Sequence, residues 1–407
     1  MGVKQILVIF AVVVLVGCGK DTPETSQTAE AEPQIASKRT PEPESAPPAD
    51  EKLIADPFVE KAVRKSLEKP EGELTEADLE SVRSLSLSET QITDEGLKDV
   101  ANLQKLTSLY LIDTKITDAG LKEVAKSQNL TRLELGKTQI TDEGLKELAK
   151  MQNLGALYLG ATKITDAGLK ELAKLKNLTY LSLWNTQITD AGLKEIAKLQ
   201  ELGGLDLADT KVTNEGLKEL AKMQQLTYLN LDNTQITDEG LKKVTKLQKL
   251  QVLYLVGTQI TDAGLKEVAK LQKLEVLSLS ETKITDKSLK EIAKLEQLKW
   301  LHLADTKITD EGLKGFAKLQ KLEGLNLNRT KITDEGLKEV VKLQKLAYVF
   351  LADTKITDAG LKELAKLQKL EFLVLTRTKA TVAGVVQLKK SLPNCRIVIT
   401  KFSPQNH

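Results

Sequence analysis

The sequence has few of the side chains from which metal centres and active sites are usually built. Among its 407 residues it has two cysteines, Cys18 and Cys395, and two histidines, His302 and His407. Two cysteines exclude a disulfide framework. So few histidines and cysteines give no basis for a His- or Cys-based metal site or a Ser-His-Asp arrangement. We therefore predict no cofactor, no metal and no enzymatic activity.

An excess of charge and a supply of aromatic residues are also lacking. Lys and Arg total 59 against 57 Asp and Glu, so no global basic field would attract nucleic acid. Aromatic residues make up only 3% of the chain. The positions of those few residues are therefore informative.

The first residues have the pattern of a secretory signal. Lys4 precedes an apolar run from Ile6 to Val16, which is about half the length that a membrane-spanning helix needs. The ending Leu15-Val16-Gly17-Cys18 resembles the lipobox of bacterial lipoproteins. The resemblance implies cleavage before Cys18 and lipidation of its thiol. A plain signal peptide or a short membrane anchor is the alternative.

Composition and pattern together suggest five segments. Residues 1–17 are the lipoprotein signal peptide, and 18–52 are the lipidated Cys and a tether rich in Pro, Glu, Ala, Ser and Thr, predicted to be disordered. Residues 53–82 form a helical N-terminal cap, 83–388 the repeats, and 389–407 a C-terminal cap and tail. The lipobox resemblance implies a protein of the cell envelope, held by a lipid anchor. Gly19 favours the outer membrane if the cell has one, and otherwise the outer face of the cytoplasmic membrane.

An internal repeat of 24 residues dominates the chain. The phrase TKITDAGLKEL occurs at 162–172 and again at 354–364, and its threonine recurs without insertion or deletion in thirteen units from Thr90 to Thr378. Such short units cannot bury their own apolar faces and must stack as a solenoid. In each unit, alternating leucines predict a short strand. The following Thr-Asp pair caps a helix with an apolar stripe. We expect a monomer.

The pattern LxxLxLxxTxI resembles the leucine-rich repeat over about 83–378, with Thr where the commonest form has Asn. It is similar to the ribonuclease-inhibitor-like and F-box-type variants. The stretch DPFVEKAVRKSL…LTEADLESVRSLSLSET resembles the helical cap of bacterial internalin-like surface proteins. The resemblance implies an α/β leucine-rich-repeat solenoid with a curved parallel sheet on its concave side and helices on its convex side. The family's Asn satisfies backbone groups of neighbouring coils, and we expect the Thr hydroxyls to do the same.

Two further residue series recur with the 24-residue period. The aspartates that begin with Asp94, Asp118 and Asp142 are interpreted as helix caps, with a calcium site as the alternative. The glycines that begin with Gly96 and Gly120 are interpreted as places of tight packing against the next coil. Cys395 is expected to be a buried apolar residue.

The variable positions beside the strand leucines carry the chain's aromatic residues. Every Tyr and both Trp fall there, and the candidate ligand-binding residues are Tyr110, Tyr158, Tyr180, Trp184, Tyr228, Tyr254, Trp300, His302, Tyr348, Phe350 and Phe372. Aromatic side chains with polar neighbours are typical of protein-binding surfaces. We therefore predict a concave face that binds a protein or peptide. A glycan- or peptidoglycan-binding scaffold, and a chain that acts on an enzyme partner, are the alternatives. Unconstrained drift at these positions would be a further explanation of the pattern.

Overall fold

One open sheet of parallel strands runs through the part of the chain that the structure, a computed structural model, describes: residues 52–399. Each strand pairs with the next along the chain. The fourteen strands of this range are β1 Ser84–Ser86, β2 Ser108–Tyr110, β3 Arg132–Glu134, β4 Ala156–Tyr158, β5 Tyr180–Ser182, β6 Gly204–Asp206, β7 Tyr228–Asn230, β8 Val252–Tyr254, β9 Val276–Ser278, β10 Trp300–His302, β11 Gly324–Asn326, β12 Tyr348–Phe350, β13 Phe372–Val374 and β14 Arg396–Val398. The predictions for residues 1–51, Cys18 included, and for 400–407 lie outside the described residues.

The 24-residue period sets the register of the sheet. Leu85 pairs with Leu109, and Leu109 pairs with Leu133, so residues one repeat apart are neighbours across each strand pair. The central side chain of each repeat strand is fully buried, while those on either side of it face away from the core. The predicted leucine-rich-repeat solenoid is therefore confirmed.

Short helices form the opposite layer. Within residues 52–399 they are α1 Pro57–Ser66, α2 Glu76–Ser81, α3 Leu97–Val100, α4 Asp118–Val124, α5 Leu145–Leu148, α6 Leu169–Leu172, α7 Asp190–Ile196, α8 Leu217–Leu220, α9 Asp238–Val244, α10 Asp262–Val268, α11 Asp286–Ile292, α12 Asp334–Val340, α13 Asp358–Leu364 and α14 Val382–Ser391. The tenth repeat has a 3₁₀ turn instead, Phe316–Lys318. There Gly315 replaces the usual Glu and adopts a φ of 99°, which interrupts the helix.

The threonine row stabilises each coil from within. The hydroxyl of Thr114 donates to the carbonyl oxygen of Leu111 at 2.8 Å, and Thr138 and Thr162 repeat this bond to the leucine three residues earlier. All three threonines are buried. The expectation that these hydroxyls join neighbouring coils is wrong, because the acceptor belongs to the same coil.

The aspartate row makes the link between coils. Oδ1 of Asp118 accepts the backbone N–H of Thr141 at 2.8 Å, and Oδ2 accepts its hydroxyl at 2.6 Å. The helix cap is Thr117, whose hydroxyl oxygen accepts from the backbone N–H of Ala119. The capping prediction therefore holds for Thr117 and is wrong for Asp118, whose carboxylate binds the cap of the next repeat.

Most glycines of the recurring series lie against the aspartate side chain of the preceding coil. A β-carbon on Gly120 would be 2.4 Å from Oδ1 of Asp94 and 2.8 Å from Cδ1 of Leu97. The predicted tight packing is confirmed, but the neighbour is the preceding coil. The ninth repeat has Ser288 at this position, and its hydroxyl donates to the carbonyl of Thr285.

The two ends of the described solenoid are closed by different elements. At the front, Asp56 caps α1 by accepting the backbone N–H groups of Phe58 and Val59. At the back, β14 pairs with β13, and Cys395 before it is buried, as the sequence indicated. Burial raises the pKa of the Cys395 thiol, so the thiol is not activated as a nucleophile.

Candidate binding face

The concave face consists of the first and third side chains of each strand and the two residues that follow the next leucine. All eleven predicted aromatic and histidine positions lie on it. Tyr180, Tyr228, Trp300, Tyr348 and Phe372 begin a strand, Tyr110, Tyr158, Tyr254, His302 and Phe350 end one, and Trp184 lies two residues beyond β5. The sheet thus places on one face residues that are up to 262 positions apart in sequence, from 110 to 372.

Nine of these side chains form two groups rather than one continuous surface, and Tyr110 and Trp184 belong to neither group. In the first, the tyrosine cluster, ring centroids are 4.9 Å apart for Tyr158 and Tyr180, 5.9 Å for Tyr180 and Tyr228, and 5.8 Å for Tyr228 and Tyr254. The second group is the tryptophan cluster. It contains Trp300, His302, Tyr348, Phe350 and Phe372, with Trp300 and Tyr348 at 5.1 Å and Phe350 and Phe372 at 5.8 Å. Strand β9, with Val276 and Ser278, separates the groups.

A glycine makes room for the long contact in each group. Tyr180 reaches Tyr228 across β6 because Gly204 stands between them, where a β-carbon would be 2.5 Å from Tyr180 Cδ2. Trp300 reaches Tyr348 across β11 in the same way, and a β-carbon on Gly324 would be 2.2 Å from its Cε3. The aromatic rings therefore lie along the sheet and cover the next strand.

The candidate residues differ in how accessible they are. Tyr254, Trp300 and Phe350 are buried, with exposures of 1%, 6% and 4%. The other eight are partly exposed. The three buried residues pack against neighbouring rings, and a ligand would contact the partly exposed ones.

Arg132 borders the tyrosine cluster at its N-terminal side. Its guanidinium carbon lies 4.4 Å from the centroid of Tyr158 and 5.7 Å from that of Tyr110. Its Nε donates to Oε1 of Glu134 at 2.9 Å. This arginine is therefore held by two rings and a carboxylate of the same face.

Two carboxylates lie among the tyrosines. Oδ2 of Asp206 accepts from the hydroxyl of Ser182 at 2.9 Å, and Oδ1 of Asp232 accepts from the backbone N–H of Val256 at 2.6 Å. Burial raises the pKa of Asp206 and raises the pKa of Asp232 to about 7. Asp232 therefore changes charge near neutral pH. Both aspartates appear in the sequence as polar neighbours of the aromatics, but nothing in the pattern revealed their titration.

His302 belongs to the tryptophan cluster and not to a catalytic group. Its ring stacks near Trp300, at 6.0 Å between centroids and 19° between planes. Burial lowers the pKa of His302 to about 4, so the imidazole is neutral at pH 7. Among the described residues, no group of three or more His, Cys, Asp or Glu side chains is placed to hold a metal ion.

The sequence contains a pattern that marks the two glycines beneath the aromatic rings. An aromatic residue, a glycine and a tyrosine follow one another at 24-residue spacing as Tyr180, Gly204 and Tyr228, and again as Trp300, Gly324 and Tyr348. A contact between next-nearest strands follows from that pattern only once the register is known. The burial of Tyr254 had no such signal.

The chain is similar to several solved structures. An internalin from Listeria monocytogenes is 26% identical, with a TM-score of 0.58, and the match covers 79% of this chain and 95% of the internalin. A leucine-rich-repeat protein of Leptospira interrogans is 23% identical, with a TM-score of 0.46, over 79% of this chain and 97% of that one. A plant peptide hormone receptor in complex with its hormone is 13% identical, with a TM-score of 0.41, over 81% and 64%. No curated protein matches the chain.

Within residues 52–399 no helix combines the length and the apolar character needed to cross a membrane.

Proteins with this repeat fold typically serve as non-enzymatic scaffolds and generally mediate protein–protein interactions. The model of the leucine-rich repeat region matches residues 156–287 and 265–403, which together exceed half of the chain, and a second leucine-rich-repeat model matches 79–101, 102–125 and 126–149. The chain belongs to the leucine-rich-repeat family.

Proposed function

We propose that this chain is a non-enzymatic, lipid-anchored envelope protein that binds a protein or peptide on its concave face. One observation carries the proposal: all six Tyr and both Trp of the chain lie on that face, and most remain partly exposed. Tyr and Trp add large contact areas at low cost in conformational entropy, which is why protein interfaces are rich in them.

Ring packing favours a protein ligand over a glycan. Sugars stack on open ring faces, but the rings of the tyrosine cluster contact one another at 4.9–5.9 Å and are tilted by 32–69°. Gly160 lies directly against the indole of Trp184, since a β-carbon there would be 1.9 Å from Nε1. Ring edges and hydroxyl groups are left for a ligand, and these suit the mixed polar and apolar surface of a protein.

The anchor in this proposal is Cys18, and its support is the sequence Leu15-Val16-Gly17-Cys18. In the proposal the lipid holds a monomeric solenoid in the cell envelope, at the outer membrane if the cell has one. In the proposal the repeats belong to the ribonuclease-inhibitor-like and F-box-type class, and the support is the Thr that stands where the commonest leucine-rich repeat has Asn. Cys18→Ser should move the protein from the membrane fraction to the soluble fraction, and an unchanged membrane fraction would refute the anchor.

Binding is tested with the full-length protein and its partner, captured by cross-linking in envelope extracts and then purified. Tyr158→Ala and Trp184→Ala, both partly exposed, should together weaken binding of that partner at least about tenfold, since truncation of interface anchors costs about 2 kcal/mol or more. Lys246→Ala on the exposed helix side is the matched control and should leave affinity unchanged. Unaltered affinity in the double variant would contradict the concave site, and selective binding on a glycan array would support the glycan alternative.

A further inference from the structure

Acidic residues on the concave face and its rim fall into two classes. Three are neutralised by an arginine of the chain: Glu134 by Arg132, Asp305 by Arg329 and Asp353 by Arg377. Six others make no ion pair within the described residues. Glu89 and Asp113 lie near the N-terminal end of the sheet, and Asp206, Asp209, Asp232 and Glu281 lie nearer its middle.

The strand segments that carry Asp206, Asp209, Asp232 and Glu281 contain no basic side chain. The concave segments of five consecutive repeats are 180–185 YLSLWN, 204–209 GLDLAD, 228–233 YLNLDN, 252–257 VLYLVG and 276–281 VLSLSE. They include no Lys, Arg or His, although Lys and Arg total 59 residues of the chain. The hydrogen-bond donors to the acids are neutral groups, such as the Ser182 hydroxyl, the Val256 N–H and the side-chain amide of Asn233.

We propose that strands β5–β9 form a docking surface for a basic, extended segment of a partner protein, whose Lys or Arg groups bind Asp206 and Asp232 between the tyrosine rings. This inference rests on the proposed function and names the chemistry of its ligand. Carboxylates supply charge-assisted hydrogen bonds, and aromatic rings attract the same cations. Five parallel strands span about 19 Å, which matches roughly six residues of extended chain.

Protonation of Asp232 should regulate this contact. The charged and titratable groups that face Asp232 are Asp206, Asp209, Glu281, Tyr228 and Tyr254. Burial and the negative charges of Asp206, Asp209 and Glu281 favour the protonated form of Asp232, whereas the phenols of Tyr228 and Tyr254 are neutral. A bound cation favours the ionised form, so binding releases a proton and tightens as pH rises from 5.5 to 8.

The chain itself supplies isosteric replacements for both aspartates. Asn328 occupies the same position in its repeat as Asp232. Its Oδ1 accepts the backbone N–H of Ala352 at 2.7 Å, as Oδ1 of Asp232 accepts that of Val256. Asn230 corresponds to Asp206, and its Oδ1 accepts the backbone N–H of Asp232 at 2.9 Å. The double variant Asp206→Asn/Asp232→Asn should therefore keep the fold and remove only charge.

The test uses the full chain and a fluorescein-labelled peptide of alternating Lys and Gly, with fluorescence anisotropy as the readout. We expect the peptide to bind at least about fivefold more tightly at pH 8 than at pH 5.5. The double variant should bind it about tenfold more weakly than the wild-type protein. Asp113→Asn is the matched control, because Asp113 is exposed at the same repeat position as Asp209 but lies outside β5–β9. It should change affinity less than about twofold.

Several results would overturn the proposal. Equal binding of the corresponding Glu-Gly peptide, or an equal loss in Asp113→Asn, would mean that no specific acidic site exists. Spermine binding as tightly as the peptide would assign the surface to small polycations instead. If the Lys peptide fails to bind while Tyr158→Ala/Trp184→Ala still loses the captured partner, this inference fails and the proposed function stands. If neither effect occurs, both fail.

Discussion

The ring of Tyr180 lies across Gly204, so closely that a β-carbon on the glycine would be 2.5 Å from Tyr180 Cδ2. The missing side chain lets Tyr180 contact Tyr228 two strands away, at 5.9 Å between ring centroids. Gly204 thus allows two tyrosines on non-adjacent strands to pack against each other within the tyrosine cluster.

Gly204→Ala should destabilise the protein by about 1–3 kcal/mol, because the tyrosine ring must leave its place to relieve the overlap. The adjacent Gly203 is a matched control: a β-carbon there would approach no atom closer than 3.7 Å. Gly203→Ala should be neutral or slightly stabilising, since Ala loses less backbone entropy than Gly on folding. Urea midpoints of the two variants decide the matter, and equal midpoints would contradict the packing described.

The aspartate link between coils predicts a contrast between two substitutions of one residue. Oδ1 of Asp190 accepts the N–H of Thr213 at 2.8 Å and Oδ2 accepts its hydroxyl at 2.6 Å. Asp190→Ala leaves both donors without a partner and should cost about 1–3 kcal/mol. Asp190→Asn should cost much less, because the natural Asn214 binds both groups of Thr237. Thermal unfolding of the two variants is the measurement, and similar losses would refute the link.

Asp232 predicts a pH dependence of stability. Its pKa is raised from 3.8 to about 7 in the folded state, so the native protein binds more protons than the unfolded chain between these values. Stability contributed by the protonated form is therefore lost as pH rises from about 4 to 7. The difference in thermal stability between Asp232→Asn and the wild type, in favour of the variant, should grow across this range and be largest at pH 8. A constant difference between the two proteins from pH 5 to pH 8 would disprove the shifted titration.

One residue per repeat, the one just before the recurring threonine, has a left-handed backbone conformation. Ala161 has a φ of 54° there, and Gly257 has a φ of 65°. A residue with a β-carbon pays about 1 kcal/mol or more for this conformation. Ala161→Gly should stabilise the protein by about 0.5–1 kcal/mol, and Gly257→Ala should destabilise it by about 1 kcal/mol or more. Changes of the opposite sign in denaturant midpoint would contradict this assignment.

Much of the fold was predictable because the repeat is exact in length. A fixed spacing of 24 residues leaves one register for the sheet, and Leu85, Leu109 and Leu133 pair as that spacing requires. The helix caps, such as Thr117, were predictable too, because Thr is a good N-cap wherever an apolar stripe follows.

The predictions that failed concern where a side chain points after the backbone is placed. Thr114 bonds within its coil and Asp118 bonds to the next one, yet both are short polar residues recurring with the same period. Periodicity gives the position of such residues but not the direction of their hydrogen bonds. The burial of Tyr254 likewise depends on neighbouring rings and strands, which no single repeat reveals.

A photo-reactive benzoylphenylalanine placed on either side of the solenoid shows which face the partner binds. One protein carries it in place of Trp184 on the concave face, and another in place of Lys246 on the helix side. Each is expressed at full length and irradiated in the native envelope. If the concave face binds the partner, position 184 gives a discrete cross-linked product and position 246 gives none. A product from position 246 alone would contradict binding on the concave face.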